Sequence, residues 1–374
     1  MAFAYAGMFA PFAVLLAFVP LWLEAEGLGT AEIGLLLALA LAARTVTTPP
    51  LTALADRVGD RATLYVVAAV VAAVASLGYF LPASATIYTI TAVLVSVPMA
   101  LAIPLGDAIG LTGVRRLGID YGAVRLWGSV AFMVVTVAAG EAVAWLGAGI
   151  VPFLFTTLLV LTVATGATMP RLPARPRGPS VAARSVLSRP LLLVFGAAAL
   201  AMGSHATYYG FSSIHWTRLG FTPTFVGVLW AVGVLAEVVL FALARRLLLD
   251  RMPLVLMTVG LVGGLVRWAA FTVEGGAAWF VLNSVMHAGS FAAVHLALQS
   301  YIAVHVDDER QGAAQAVSHG IAGPLMAAAT YASGRLYEIA GGDAFWMPAA
   351  MCGLGALLLL PLLIPRGRDR AATR

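Results

Sequence analysis

The 374-residue sequence has no lysine, one cysteine and few charges of either sign; charged residues make up 10% of it and hydrophobic ones 61%. Soluble domains carry about 25% charged residues, so an ordinary soluble enzyme and a disordered chain are both excluded. The lone Cys352 rules out a disulfide framework and any cysteine-based metal cluster. A pI near 9.7 would suit nucleic acid, yet too few charges remain to line a basic groove, and no nucleic-acid partner is expected. All 22 basic residues are arginine, as a GC-rich gene would supply. Ser204–His205 lacks an ordered acid partner, no glycine loop could cradle phosphate, and no histidine pair has metal-ligand spacing. Neither an enzyme, a cofactor nor a metal is therefore expected.

What the chain has in abundance is apolar runs. About 20 apolar residues cross the ~30 Å hydrocarbon core, and twelve stretches qualify, at roughly 3–23, 31–53, 62–81, 86–108, 121–144, 149–169, 190–213, 223–247, 252–273, 277–302, 312–337 and 344–364. They must be helices, because lipid offers no water to an exposed backbone. Met1 to Leu23 has no basic leader and reads as a retained first span. The segment 170–189 holds Pro170, Pro173, Pro176, Pro179 and five arginines, and it divides the spans six and six. The expected organisation is an all-α membrane protein with an amino-terminal six-helix bundle at 1–169 and a cytoplasmic linker at 170–189. A second, pseudo-symmetric bundle at 190–365 and a cytoplasmic tail at 366–374 complete it.

Arginine sets the orientation. Loops after even-numbered spans, with the tail, hold 17 of them, whereas the opposite loops hold Arg218 and Arg335 beside Glu24, Glu26, Glu32, Glu274, Glu338 and Asp343. By the positive-inside rule both termini are cytoplasmic and the lipid bilayer of a bacterial inner membrane is the setting. Pro49–Pro50, Pro98, Pro104 and Pro324 fall inside spans, where helices bend around a cavity.

Ionisable residues within spans are expensive and are functional candidates by default. Asp107 lies eight residues before Arg115 and Arg125 nine after Arg116, so on a helical hairpin the two reach similar depth and could pair. Arg267 and His287 are equally far from the Gly275–Gly276 turn, with Glu237 on the preceding span. Such a Glu–Arg–His cluster suits proton coupling, because burial and a neighbouring cation act on a carboxyl group in opposite senses. Arg44, mid-way along the second span, is a further cation for an anionic substrate. His205 precedes Tyr208, Tyr209 and Phe211 and is a weaker coupling candidate; His215 and Trp216 suit an outer interface.

The loop Asp56-Arg57-Val58-Gly59-Asp60-Arg61 resembles the cytoplasmic signature of the major facilitator superfamily: Asp56, Arg57, Gly59 and Arg61 match, and Thr52 stands where that pattern begins with glycine. Asp56 at a helix end suits the backbone N–H groups of a facing helix, expected to be the eleventh span near Gly312, and such a contact would exist only while the cytoplasmic side is closed. The intramembrane charges are similar to those of lactose-permease-type proton symporters. There Asp107 and Arg125 match the acid and arginine of the fourth and fifth spans, and Glu237, Arg267 and His287 match those of the eighth to tenth. That resemblance puts Phe132 at the position of a substrate-stacking aromatic, and places Ser290 where the family has a proton-carrying glutamate, leaving Glu237 or His287 as the carrier. Arg125-Leu126-Trp127-Gly128-Ser129 and the stretch from Ser204 to Trp216 resemble the 3-phenylpropionate permease branch over essentially the whole chain.

The resemblance implies a monomeric secondary transporter that takes up a small organic substrate with protons, driven by the proton gradient. Arg125, Asp107, Phe132, Trp127 and Arg44 would bind substrate, and Glu237, Arg267, His287 and His205 would carry the coupling. A sugar or nucleoside symporter, a drug-efflux antiporter and a non-transporting scaffold or sensor are the alternatives.

Overall fold

The computed structural model describes residues 1–118, 120–172, 186–244, 246 and 251–364. Among these residues every regular element is helical. Ten helices are long and apolar enough to cross a membrane, and an eleventh is the bent pair Ala2–Ala17 and Val19–Ala25. One of the ten, Asp308–Leu363, is divided by a turn at Gly341–Phe345 into Asp308–Ala340 and Trp346–Leu363, which brings the spans to twelve. The others are Thr30–Val58, Arg61–Phe80, Ala85–Leu117, Tyr121–Leu146, Ala148–Gly166, Arg189–Arg218, Pro223–Ala244, Pro253–Phe271 and Ala277–His305. The eleventh span starts at Asp308, four residues before the expected Gly312, because its polar first turn projects beyond the apolar run. Most of the expected linker, residues 173–185, and the tail from 366 lie outside the described residues.

Three spans are broken, each for a local reason. In the first, Pro20 cannot donate to the preceding turn, and the helix bends by 40° at Phe18. In the seventh the break falls at Ser204, whose hydroxyl donates to the Ala201 carbonyl and accepts from the Trp268 indole. The tenth has a π turn at Ala288–Ala293, directly after His287; such turns insert a residue and re-aim side chains. By contrast Pro49, Pro50, Pro98, Pro104 and Pro324 all sit inside helices that continue through them.

Within the halves the first span packs on the fifth and sixth, the third on the fourth and sixth, the seventh on the eleventh and twelfth, and the ninth on the tenth and twelfth. The two six-helix bundles meet where the second span crosses the eleventh and the fifth crosses the eighth. Both crossings need glycine. A Cβ on Gly34 would lie 2.6 Å from the Gly334 Cα, and one on Gly140 or Gly227 would strike the Pro223 or Thr136 carbonyl. With no hydrophobic drive between helices in lipid, this backbone proximity is what van der Waals packing can use. The same end carries two polar links between bundles: Arg218 Nη2 lies 2.6 Å from Glu24 Oε1, and the Thr224 hydroxyl donates to Glu141 at 2.7 Å. That end, opposite the two termini, is drawn shut.

Candidate functional site

Arg267 of the ninth span is fully buried beneath the centre of the carboxy-terminal bundle. Its Nε donates to the Asn283 carbonyl at 3.1 Å, and Nη1 donates to His287 Nδ1 and to Ser290 Oγ, both at 2.9 Å. The guanidinium also stacks on Trp268 and Tyr208, 4.1 and 4.7 Å from their ring centres. His287 Nε2 faces Glu237 Oε1 at 2.8 Å.

These bonds fix a tautomer. Arginine can only donate, so His287 Nδ1 is an acceptor and the ring's proton sits on Nε2, donated to Glu237 Oε1. A second branch runs from Ser290 Oγ to His205 Nε2 at 3.3 Å, while His205 Nδ1 donates to the Ala201 carbonyl at 2.9 Å. Arg267, His287, Glu237, Ser290 and His205 thus form one directional network. His287 and Ser290, three residues apart, present their side chains to the same side of the tenth span, and the π turn Ala288–Ala293 begins between them. Ser290, where the symporter resemblance would have an acid, is therefore a bridge between Arg267 and His205.

The network borders a cavity of ≈ 240 Å³ between the bundles. Glu237 and His287 line one wall with Tyr208, Tyr209, Trp230 and Phe291, and Arg125, Ser129, Phe132, Phe9 and Phe12 line the opposite one. The Arg125 guanidinium stacks 4.1 Å over the Phe9 ring. Arg44 borders a second, smaller cavity of ≈ 110 Å³.

Three expectations need correction. Asp107 does not pair directly with Arg125: its Oδ1 accepts from the Tyr5 and Tyr121 hydroxyls, both at 2.9 Å. The reason is that the fourth and fifth spans barely touch; the first span packs on the fifth, so Tyr5 reaches Asp107 and Phe9 takes Arg125. Trp127 is no part of a cavity wall, being 54% exposed on the outer face of its helix. His215 and Trp216 are buried among Phe271, Phe280 and Phe345 rather than interfacial, because the seventh span runs through the middle of its bundle. The aromatic wall formed by Tyr208, Tyr209, Trp230 and Phe291 has no charge to mark it in the sequence; Asn283, the one asparagine of the sequence and placed in an apolar span, was the overlooked sign of a buried donor.

In the loop after the second span, Gly59 has φ +80° and ends the helix in the left-handed conformation that glycine tolerates best. Asp56 accepts from Arg61 Nη2 at 2.7 Å, inside the loop, and Arg57 is exposed. Asp60 caps the third span through the Thr63 N–H and hydroxyl, bonds that hold its carboxyl below the usual range.

Two helical bundles that enclose buried charge and an aromatic cavity between them define a membrane transporter. Comparison with known proteins agrees. The MFS_1 like family matches residues 1–347. The "Probable 3-phenylpropionic acid transporter" of Escherichia coli (strain K12) is 32% identical over 98% of this chain and 97% of that one. The "Maltose permease" of Geobacillus stearothermophilus is 29% identical over 96% and 93%. Among solved structures the nucleoside transporter NupG superposes with a TM-score of 0.83 over 98% of each chain at 14% identity, which speaks to the fold. The chain belongs to the MFS_1-like family of the major facilitator superfamily, in the 3-phenylpropionate permease branch.

Proposed function

We propose that the chain is a proton-coupled importer of a small aromatic carboxylate, working by alternating access in a bacterial inner membrane with both termini cytoplasmic. The observation that carries this reading is the Glu237–His287 pair on the wall of the aromatic cavity, backed by Arg267. A carboxylate that both faces the cavity and holds the proton of a neighbouring imidazole can respond to whatever fills the cavity. Tyr208, Tyr209, Trp230, Phe132 and Phe291 offer flat faces to an aromatic ring, and the two cavity-lining arginines, Arg125 and Arg44, favour an anion over a neutral solute. On this reading the structure corresponds to a state closed at the end opposite the termini, where Gly34 packs against Gly334.

The test is uptake of labelled 3-phenylpropionate by proteoliposomes with an imposed pH gradient. Accumulation that a protonophore collapses is expected; uptake indifferent to the gradient would remove the coupling. A second reading, import of a neutral sugar, draws on the likeness to a maltose permease. Competition by maltose but not by aromatic acids would favour it.

A further inference from the structure

We infer that the substrate's carboxylate is held at Arg44, in the smaller cavity, and that Arg125 is not its anchor. This rests on the carboxylate reading above and assigns its anionic end to a place in the fold.

The smaller cavity is enclosed by the first, second, third, fourth, seventh and eleventh spans, and its walls are mostly leucine, alanine and valine. Within it the Arg44 guanidinium has no hydrogen bond, ion pair or aromatic ring against it among the described residues. Four hydroxyls line the same space: Ser96 donates to the Ala40 carbonyl at 2.9 Å and Thr330 to the Met326 carbonyl at 2.8 Å, and the other two are those of Tyr79 and Tyr209, of which Tyr209 is close enough to act electrostatically on Arg44. Arg44 is thus a half-buried cation with no counter-ion among the described residues, facing the neutral Tyr209 phenol in largely apolar surroundings, a costly arrangement that an anion of the right shape relieves. Guanidinium, with its planar fork of donors, matches a carboxylate.

The larger cavity differs in its charge balance. There Arg125 shares the cavity with the Glu237 carboxyl group, and it is already stacked on Phe9. A second carboxylate brought in would meet Glu237 as well as Arg125. Leu16 and Tyr209 border both cavities, so a ligand can span them, its carboxylate at Arg44 and its ring passing Tyr209 toward the aromatic wall. An amphipathic monocarboxylate fits this division of polarity; a neutral, evenly polar solute does not.

The experiment compares binding of 3-phenylpropionate and its uncharged amide to the purified full-length protein, wild type and variants, by tryptophan fluorescence and calorimetry. Wild type should prefer the acid by about tenfold or more, the range of a charge-assisted pair. Arg44→Gln should abolish that preference, Arg44→Lys should keep part of it, and Arg125→Gln should weaken both ligands while the preference survives. Since Arg44→Gln removes an unpartnered charge, its ligand-free thermal midpoint should equal or exceed that of wild type; a lower midpoint would show Arg44 to be a structural residue and overturn the assignment. Ala40→Leu, which fills the smaller cavity and leaves Arg44 in place, should also lose acid binding. Acid preference retained in Arg44→Gln or in Ala40→Leu overturns the subsite and leaves the transport reading standing. A folded wild type that binds neither this acid nor octanoate overturns both.

Discussion

His287 gives its single ring proton to Glu237, because the other ring nitrogen is occupied by Arg267. The Glu237 carboxyl group is therefore held in place by a neutral imidazole rather than by a bond to the arginine itself, and Arg267 is bonded to Glu237 only through the ring. Protonating Glu237 weakens the one hydrogen-bonded link between this network and the eighth span among the described residues, since a neutral acid is a poorer acceptor than a carboxylate.

The first prediction follows from that link. Glu237→Gln keeps an oxygen that can accept from His287 Nε2, so folding should survive with little change. The amide cannot carry a proton. Exchange of labelled for unlabelled substrate across the membrane should persist, while accumulation against a gradient should fall to simple equilibration. Continued uphill accumulation by the variant would show the carrier to be elsewhere.

Stability should grade across the network. Ser290→Ala strands one Arg267 N–H and His205 Nε2, each a buried group, and should cost about 1–3 kcal/mol. Removing Arg267 leaves His287 and Ser290 without their donor and opens a hole between Trp268 and Tyr208. Arg267→Ala should cost roughly 3–5 kcal/mol, as when one member of a buried charged network is deleted. Trp127→Ala, on an exposed face, should change neither the thermal midpoint nor uptake. Thermal unfolding of the three variants in detergent gives the order directly; a Ser290→Ala midpoint equal to that of wild type would contradict the bond geometry.

How much of this was legible beforehand depends on what carried the signal. Span number, the six–six division and the helical class rest on summed hydrophobicity, which integrates over about 20 residues and tolerates local error. The grouping of Arg267 with His287 was legible because both are counted from one tight turn at Gly275–Gly276. Counting from a turn failed for Asp107 and Arg125, since depth along two helices says nothing about which faces meet, and the first span comes between them. Trp127 failed for a related reason: at an aromatic residue in a span, lipid-facing and cavity-facing positions have the same composition. The π turn after His287 has no compositional mark in a run such as Ala288-Gly289-Ser290-Phe291, and it falls in the segment that carries the Arg267 partner Ser290.

The corrected position of Asp107 makes a third prediction. Asp107→Asn retains the oxygen that Tyr5 and Tyr121 bond and should be nearly silent in both stability and uptake. Asp107→Leu strands two tyrosine hydroxyls, of which that of Tyr5 belongs to a fully buried residue, and should cost about 1–3 kcal/mol for each group left buried. Tyr5→Phe combined with Asp107→Leu should recover part of the loss, because removing both partners is less harmful than removing one. Loss of uptake in a stably folded Asp107→Asn protein would instead restore a direct role for that charge.

The last prediction concerns the shut end. Gly34 and Gly334 meet backbone to backbone, so Gly34→Leu cannot be accommodated by rotating a side chain; the second and eleventh spans must separate there. The Arg218–Glu24 bridge joins the same two bundles, but Arg218 is about half exposed, 51% against 26% for Glu24, and an exposed pair contributes only about 0–1 kcal/mol. The glycine contact should therefore dominate closure and the ion pair should trim it. A cysteine placed at Leu28, beside this mouth, and probed with a membrane-impermeant maleimide from the side opposite the termini reads the effect, with Cys352 replaced by serine. Labelling should rise strongly in Gly34→Leu and by no more than about fivefold in Glu24→Gln, the population change that 1 kcal/mol permits. Equal labelling in both would mean that the bundles are held together by charge, and that the close crossing of Gly34 and Gly334 is incidental to which side of the transporter is open.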